Sequence, residues 1–126
     1  MDVFVYGTLT DPATADRILD RYEFRGGAEL DGLHRLDGEY PTLVPGGTCD
    51  GRILSTPERR ALDRYEGVER GLYVRRSLPL DGSDSVECYI GDPGALCVPD
   101  EWPGSGTFSD RVERYLEANQ VVVVPR

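Results

Sequence analysis

The chain has 126 residues, enough for one core-forming domain spanning residues 1–126 and too few for two. Its formal charge is −9, and all 14 basic residues are arginine, so the surface repels nucleic-acid phosphates and anionic lipid, and neither is an expected partner. No apolar run approaches the ~20 residues that span a bilayer. Met1–Asp2 lead straight into apolar sequence with no basic region or cleavage site, which predicts a cytoplasmic protein.

An acidic composition without lysine is typical of proteins that stay soluble at high salt. A GC-rich genome produces the same arginine bias, and composition does not separate the two. Cys49, Cys88 and Cys97 form no C-x-x-C pair and are expected as small hydrophobes, not as a disulfide framework. His34 has no second histidine or carboxylate at ligand spacing, so no metal site is expected.

Val3–Thr10, VFVYGTLT, begins with β-branched and aromatic residues in an unbroken run, which suits a strand buried on both faces. Gly7 ends it, and a strand that stops on glycine can bring bare backbone N–H groups against a ligand. Asp11 as N-cap and Pro12 at the first helical position open a short helix to Asp20, with Ala13, Ile18 and Leu19 on its apolar side. Strand, glycine turn and helix start together suit an anion or a polarised carbonyl. An ordinary buried strand with a tight turn is the plainer reading of the same residues.

Tyr22 to Leu36 recur mostly at even spacing, which predicts one long strand or two, bent by a bulge at Gly26–Gly27. Thr42 to Val44, bracketed by Tyr40–Pro41 and Pro45–Gly46–Gly47, is expected as an edge strand or loop. Gly51 to Leu54 predicts another strand. Thr56 as N-cap and Pro57 at the first helical position then open a helix that carries Leu62 and Tyr65 on one face and stops at Gly67. Leu72–Leu80 and Val86–Ile90 predict a hairpin about Asp81–Gly82–Ser83. Asp92 to Phe108 is a loop anchored by Trp102. Ser109–Asn119 is a helix with Val112, Tyr115 and Leu116 inward, and Val121–Val124 is a buried closing strand. Strands outnumber helices and several are sequential, so the expected class is α+β, a small mixed β-barrel with flanking short helices.

A second segment rivals the first. In Leu62–Arg76, LDRYEGVERGLYVRR, Glu66 sits at a helix C-terminus, where carbonyl oxygens and the negative end of the dipole raise its proton affinity. A carboxylate that takes and returns a proton near neutrality benefits from that placement. An exposed Glu66 paired with Arg64, Arg70 or Arg75 is the alternative.

VFVYGTLT followed in order by EYPTLVPG, GRIL and LDRYEGVERGLYVRR resembles the γ-glutamylcyclotransferase family, including its AIG2-like and γ-glutamylamine cyclotransferase branches. The likeness runs from Val3 to about Ile90 and then fades. YGTL alone is a weak signal, but YGTL with a downstream D-x-Y-E-G and a tyrosine seven residues after the glutamate is a specific one. The resemblance implies a small β-barrel that releases the γ-glutamyl group of a γ-glutamyl-amine or small γ-glutamyl amide as 5-oxoproline, without metal or cofactor. It makes Glu66 the proton shuttle and the backbone of Gly7, Thr8 and Leu9 the oxyanion donors. Tyr6 and Tyr73 line the same pocket, Tyr73 in reach of Glu66 or the substrate carboxylate, and Tyr40 borders it. Arg75 is a candidate for the substrate carboxylate on charge grounds, with a surface ion pair as its plainer role.

Two other functions fit the sequence. One is a non-catalytic domain that binds a γ-glutamyl compound, because family membership does not guarantee turnover. The other is an interaction module using a sheet edge near Val121–Val124. Neither gives Glu66 an acid–base task.

Overall fold

A computed structural model of the chain describes residues 1–82 and 84–126. The elements run β1 (Asp2–Val5), α1 (Pro12–Ile18), β2 (Glu23–Asp37), β3 (Pro41–Ser55), α2 (Arg59–Glu66), β4 (Tyr73–Pro79), β5 (Ser85–Gly91), α3 (Phe108–Ala118) and β6 (Val122–Pro125). The strands form one sheet in the order β4-β5-β1-β3-β2-β6. β1 pairs parallel with β5, and the other neighbours pair antiparallel. The sheet curls until its outer strands meet, where Leu80 bridges Val123 and the Asp81 N–H donates to the Val123 carbonyl at 2.8 Å. The result is the expected α+β architecture, a curled half-barrel with three helices.

β1 sits inside this sheet because its alternation serves two cores. Phe4 and Tyr6 point into the concave core with Leu30, Leu43 and Ile90, while Val3 and Val5 join Leu54 and Leu62 on the other face. Fully burying a residue of this size contributes ~1.5–3 kcal/mol, so a one-residue slip would cost both faces at once. Helix α2 lies on the second face through Leu62, with Ala61 and Tyr65 packed beside it. Helix α3 lies over the concave core: Val112 is buried and Tyr115 and Leu116 pack on it. Trp102 anchors the preceding loop as expected; its Nε1–H donates to the Leu43 carbonyl at 3.2 Å and its ring meets Tyr115 edge-on at 5.3 Å.

Several boundaries differ from the sequence reading. Thr42–Val44 is neither edge strand nor loop. It begins β3, which runs through Pro45–Gly46–Gly47 into the Gly51–Leu54 stretch without a break. The ladder survives because β3 bulges there: Gly46 and Gly47 together face Gly32, between the pairs Asp31–Thr48 and Leu33–Pro45. A second shift, between Phe24 and Gly26, is the bulge expected at the glycine pair. In α1, Ala13 is exposed and Thr14 and Ala15 are buried instead, since the Asp11 cap sets the helix phase. Helix α2 starts at Arg59, two residues after Pro57. Thr56 is drawn off by another partner: its hydroxyl donates to the Arg21 carbonyl at 2.6 Å and accepts from the Glu58 N–H at 3.2 Å.

The β4–β5 hairpin forms in the predicted register region, from Tyr73 opposite Gly91 to Pro79 opposite Ser85. Ser83 of its turn lies outside the described residues. The edge expected near Val121–Val124 is not open along its length, because Val121 and Val123 are buried and Leu80 and Asp81 cap the strand. Among the described residues, no helix is long and apolar enough to cross a membrane.

Candidate active site

The turn after β1 is a single 3-10 turn, Thr8–Thr10. Its Gly7 and Thr8 carbonyls accept from the N–H groups of Thr10 (3.1 Å) and Asp11 (3.2 Å). The N–H groups of Gly7, Thr8 and Leu9 precede the first of these bonds and have no acceptor within the turn. Two arginines from the sheet hold its ends. Arg35 Nη1 donates to the Tyr6 carbonyl at 2.6 Å, and Arg52 Nη1 donates to the Thr10 carbonyl at 2.8 Å while its guanidinium stacks on Phe24. A trans peptide points its N–H opposite its carbonyl, so fixing the Tyr6 carbonyl also fixes the Gly7 N–H. A side chain at Gly7 would meet Pro41 Cγ at 3.0 Å, so the strand β3 approaches this turn closely.

Helix α2 ends with Glu66 because Gly67 takes a left-handed conformation, φ 72°. Gly67 N–H donates to the Arg64 carbonyl and Val68 N–H to the Asp63 carbonyl, which closes the helix in a Schellman arrangement. The helix is tied to the turn by one contact: the hydroxyls of Thr8 and Tyr65 are 2.5 Å apart. Tyr65 immediately precedes Glu66, so this bond brings two segments nearly 60 residues apart in sequence onto one site.

Between them lies a cavity of about 400 Å³. Of the residues singled out in the sequence, Tyr6, Gly7, Thr8, Leu9, Tyr40, Glu66 and Tyr73 line it. Leu9 and Tyr73 are buried wall residues, and Tyr40 is exposed at its border. Glu66 keeps part of its surface accessible, and among the described residues its carboxylate has no hydrogen-bond or ion-pair partner. Burial pushes its carboxyl from 4.5 up to about 7. Tyr6 is held well above its ordinary value, first by burial and then by charges that include Cys88 and Glu66; Tyr73 is raised by burial and by Glu66.

One expectation changes, for Tyr73, and the choice left open for Arg75 closes on its ion pair. The Tyr73 hydroxyl donates to the Pro41 carbonyl at 2.5 Å, not to Glu66. Tyr6 likewise donates to the Tyr89 carbonyl at 2.5 Å. Both phenols therefore offer the cavity only lone pairs: they can accept from an ammonium but cannot donate to an oxyanion. Arg75 does not line the cavity. Its guanidinium grips the Asp63 carboxylate, with Nη1 at 2.6 Å from Oδ2, and lies 3.4 Å from Glu87. This is the plainer ion-pair role.

Sequence reasoning did not assign Tyr65, Tyr89, Arg70, Glu39 or Leu96 to the site, although all line the cavity. For Tyr65 the signal was its position inside D-x-Y-E-G, where its helical spacing pointed to core. Tyr89 carries the support behind the site: its hydroxyl donates to Asp63 Oδ1 at 2.6 Å. Burial raises the Asp63 carboxyl, but the hydrogen bonds from Arg75 and Tyr89 outweigh it and hold Asp63 below its ordinary value.

The sequence pattern of the γ-glutamyl cyclotransferase, AIG2-like family matches residues 3–104, past Ile90 and into the loop that holds Trp102. The chain belongs to that family. AIG2-like protein C of Arabidopsis thaliana is 36% identical over 102 residues, a match covering 71% of this chain and 58% of that protein. The chain thus spans a little over half the length of the curated relatives it matches. A solution structure of an Arabidopsis thaliana protein is 28% identical with a TM-score of 0.57, covering 93% of this chain and 83% of the other. A solved γ-glutamyl cyclotransferase superposes with a TM-score of 0.61 at 13% identity, over 94% of this chain and 99% of the other, which shows a common fold.

Proposed function

We infer that this chain is a γ-glutamyl cyclotransferase that converts a γ-glutamyl-amine or small γ-glutamyl amide to 5-oxoproline and free amine. The observation that carries the reading is Glu66: an unpartnered carboxylate, raised to about 7, lining one cavity with the backbone of Gly7–Leu9. A surface carboxylate in an ion pair would not have that proton affinity.

The reaction is an intramolecular aminolysis. The substrate's α-ammonium is not nucleophilic until a base removes its proton. Ionised Glu66 takes that proton, and the freed amine nitrogen attacks the γ-carbonyl carbon, closing a five-membered ring. The carbonyl π-electrons move to oxygen, and the N–H groups of Gly7, Thr8 and Leu9 stabilise the oxyanion. Collapse of the tetrahedral intermediate breaks the bond to the departing nitrogen, which receives the proton from Glu66, and the ring nitrogen gives up its second proton to the carboxylate so freed, which passes it on to the released amine or to water. A group near pH 7 serves both steps because neither protonation state is costly to reach. Tyr6 and Tyr73 present phenol oxygens that accept from the ammonium before transfer. The walls hold the chain folded for ring closure, an orientation effect. A cytoplasmic setting, with the three cysteines as thiols, belongs to the same proposal.

The test is release of 5-oxoproline from a panel of γ-glutamyl-amines and γ-glutamyl dipeptides, for wild type and Glu66→Gln. Loss of the proton carrier should lower turnover ~10²–10⁴-fold, while 5-oxoproline still binds. Turnover of the variant at the wild-type rate would remove Glu66 from the mechanism. Binding without turnover in wild type would make the chain a binding domain.

A further inference from the structure

Four guanidiniums surround the site, and three of them are occupied. Arg35 and Arg52 hold the Tyr6 and Thr10 carbonyls, and Arg75 is bound to Asp63. Arg70 is different. It is the cationic side chain that lines the cavity, and among the described residues its guanidinium has no hydrogen-bond or ion-pair partner.

Arg70 follows Glu66 by four residues. In a continuous helix that spacing would pair the two charges. Here the helix stops at Glu66, the left-handed Gly67 turns the chain away, and a compact turn follows in which Arg70 N–H and Leu72 N–H both donate to the Gly67 carbonyl at 3.1 Å. The Arg70 side chain then folds back over Gly67: a Cβ on that glycine would lie 3.0 Å from Nη2 and 3.3 Å from Nε. The guanidinium is thereby held against the end of the helix that carries Glu66, and both side chains line the cavity. Burial raises the proton affinity of Glu66.

A base and a guanidinium lining one cavity match a zwitterion whose ammonium and carboxylate share one carbon. The α-carbon of a γ-glutamyl group is such a centre. The other acid lining the cavity, Glu39, is exposed and repels a carboxylate, and the protons of Tyr6 and Tyr73 are committed to backbone. We propose that Arg70 is the specificity-determining residue that binds the substrate's α-carboxylate, and with it selects γ-glutamyl compounds with a free α-amino acid head over those whose head carboxylate is blocked. The proposal rests on the cyclotransferase reading. A planar fork meeting a carboxylate with two parallel N–H bonds is the geometry in which arginine outperforms lysine.

The test compares two ligands that differ only in this carboxylate, 5-oxoproline and 2-pyrrolidone, by calorimetry on wild type, Arg70→Gln and Arg70→Lys. Arg70 is exposed, so both variants should melt as wild type does. Wild type should prefer 5-oxoproline, and Arg70→Gln should lower its affinity ~10–100-fold, the loss typical of a charge-assisted pair. Binding of 2-pyrrolidone should be unchanged, and Arg70→Lys should restore part of the preference. If Arg70→Gln keeps the wild-type preference, Arg70 is not the carboxylate site, while turnover of γ-glutamyl-amines by wild type leaves the reaction intact. A wild type that binds the two ligands alike also overturns the proposal. Absence of both binding and turnover in wild type overturns it together with the reaction.

Discussion

The hydroxyls of Thr8 and Tyr65 lie 2.5 Å apart, and this bond joins the turn after the first strand to the helix that ends in Glu66. It is exposed, so its contribution to stability is small, on the order of 0.5–1.5 kcal/mol. Its contribution to placement is larger, since an ångström of misplacement can cost ~10²-fold in rate. Tyr65→Phe is therefore expected to shift the melting temperature little and to lower turnover ~10-fold or more, with a smaller change in KM. Equal loss of stability and activity would make Tyr65 a packing residue only.

Asp63 supports the same helix from behind. It accepts from Tyr89 at 2.6 Å and from Arg75 on both oxygens, and Tyr89 in turn holds Tyr6 through its carbonyl. Asp63→Ala strands a half-buried guanidinium and a phenol, which is expected to cost about 1–3 kcal/mol in denaturant melts. Asp63→Asn keeps the acceptor for Tyr89 but loses the charge, and should fall between the two. The pH midpoint of turnover reports position: it should move in Asp63→Ala if the helix end shifts, and stay put if Asp63 only adds stability.

Glu66 makes stability depend on pH with a definite sign. Its carboxyl lies near 7 in the folded chain, above the ordinary 4.5, so the folded state binds more protons between those values. Stability therefore falls as pH rises through that window, and the full cost of the buried charge is present above pH 7. Glu66→Gln should remove the slope, melting like wild type near pH 4 and higher than wild type at pH 8, by about 1–3 kcal/mol. Turnover of wild type should rise over the same range as Glu66 ionises. Identical pH–melting curves for the two proteins would contradict a buried Glu66.

Gly67 is required twice, by its left-handed φ of 72° and by neighbours that a Cβ would meet, Leu72 Cδ1 at 2.9 Å and Arg70 Nη2 at 3.0 Å. Gly67→Ala is expected to cost about 1–2 kcal/mol. By displacing the Arg70 side chain it should also weaken 5-oxoproline more than 2-pyrrolidone. A thermal melt and the two titrations check both effects.

The 23 acidic side chains against 14 arginines predict a response to salt. Screening relieves their mutual repulsion, so the melting midpoint should rise from low to molar KCl. A flat or falling midpoint would mean that the arginine bias reflects codon usage.

Signals confined to a few neighbouring residues were legible in the sequence. The run Val3–Tyr6 specified a strand buried on both faces, Asp11–Pro12 a helix start, Gly67 a helix end, and two alternating segments about Asp81–Gly82 a hairpin. Each follows from side-chain period, cap chemistry or a fixed backbone angle, which are local properties. The motif around Glu66 likewise showed which residues to bring together. Only the tertiary structure decided what those residues do with their protons and charges. The continuity of β3 through Pro45–Gly46–Gly47 depends on β2 pairing on both sides of a bulge there. The commitment of Tyr6 and Tyr73 to carbonyls of Tyr89 and Pro41, and of Arg75 to Asp63, depends on strand register and on how far the sheet curls. So does the lack, among the described residues, of any hydrogen-bond or ion-pair partner for Glu66 and Arg70. A side chain's partner is set by distances across the fold, and sequence spacing carries no such distance once the chain has turned.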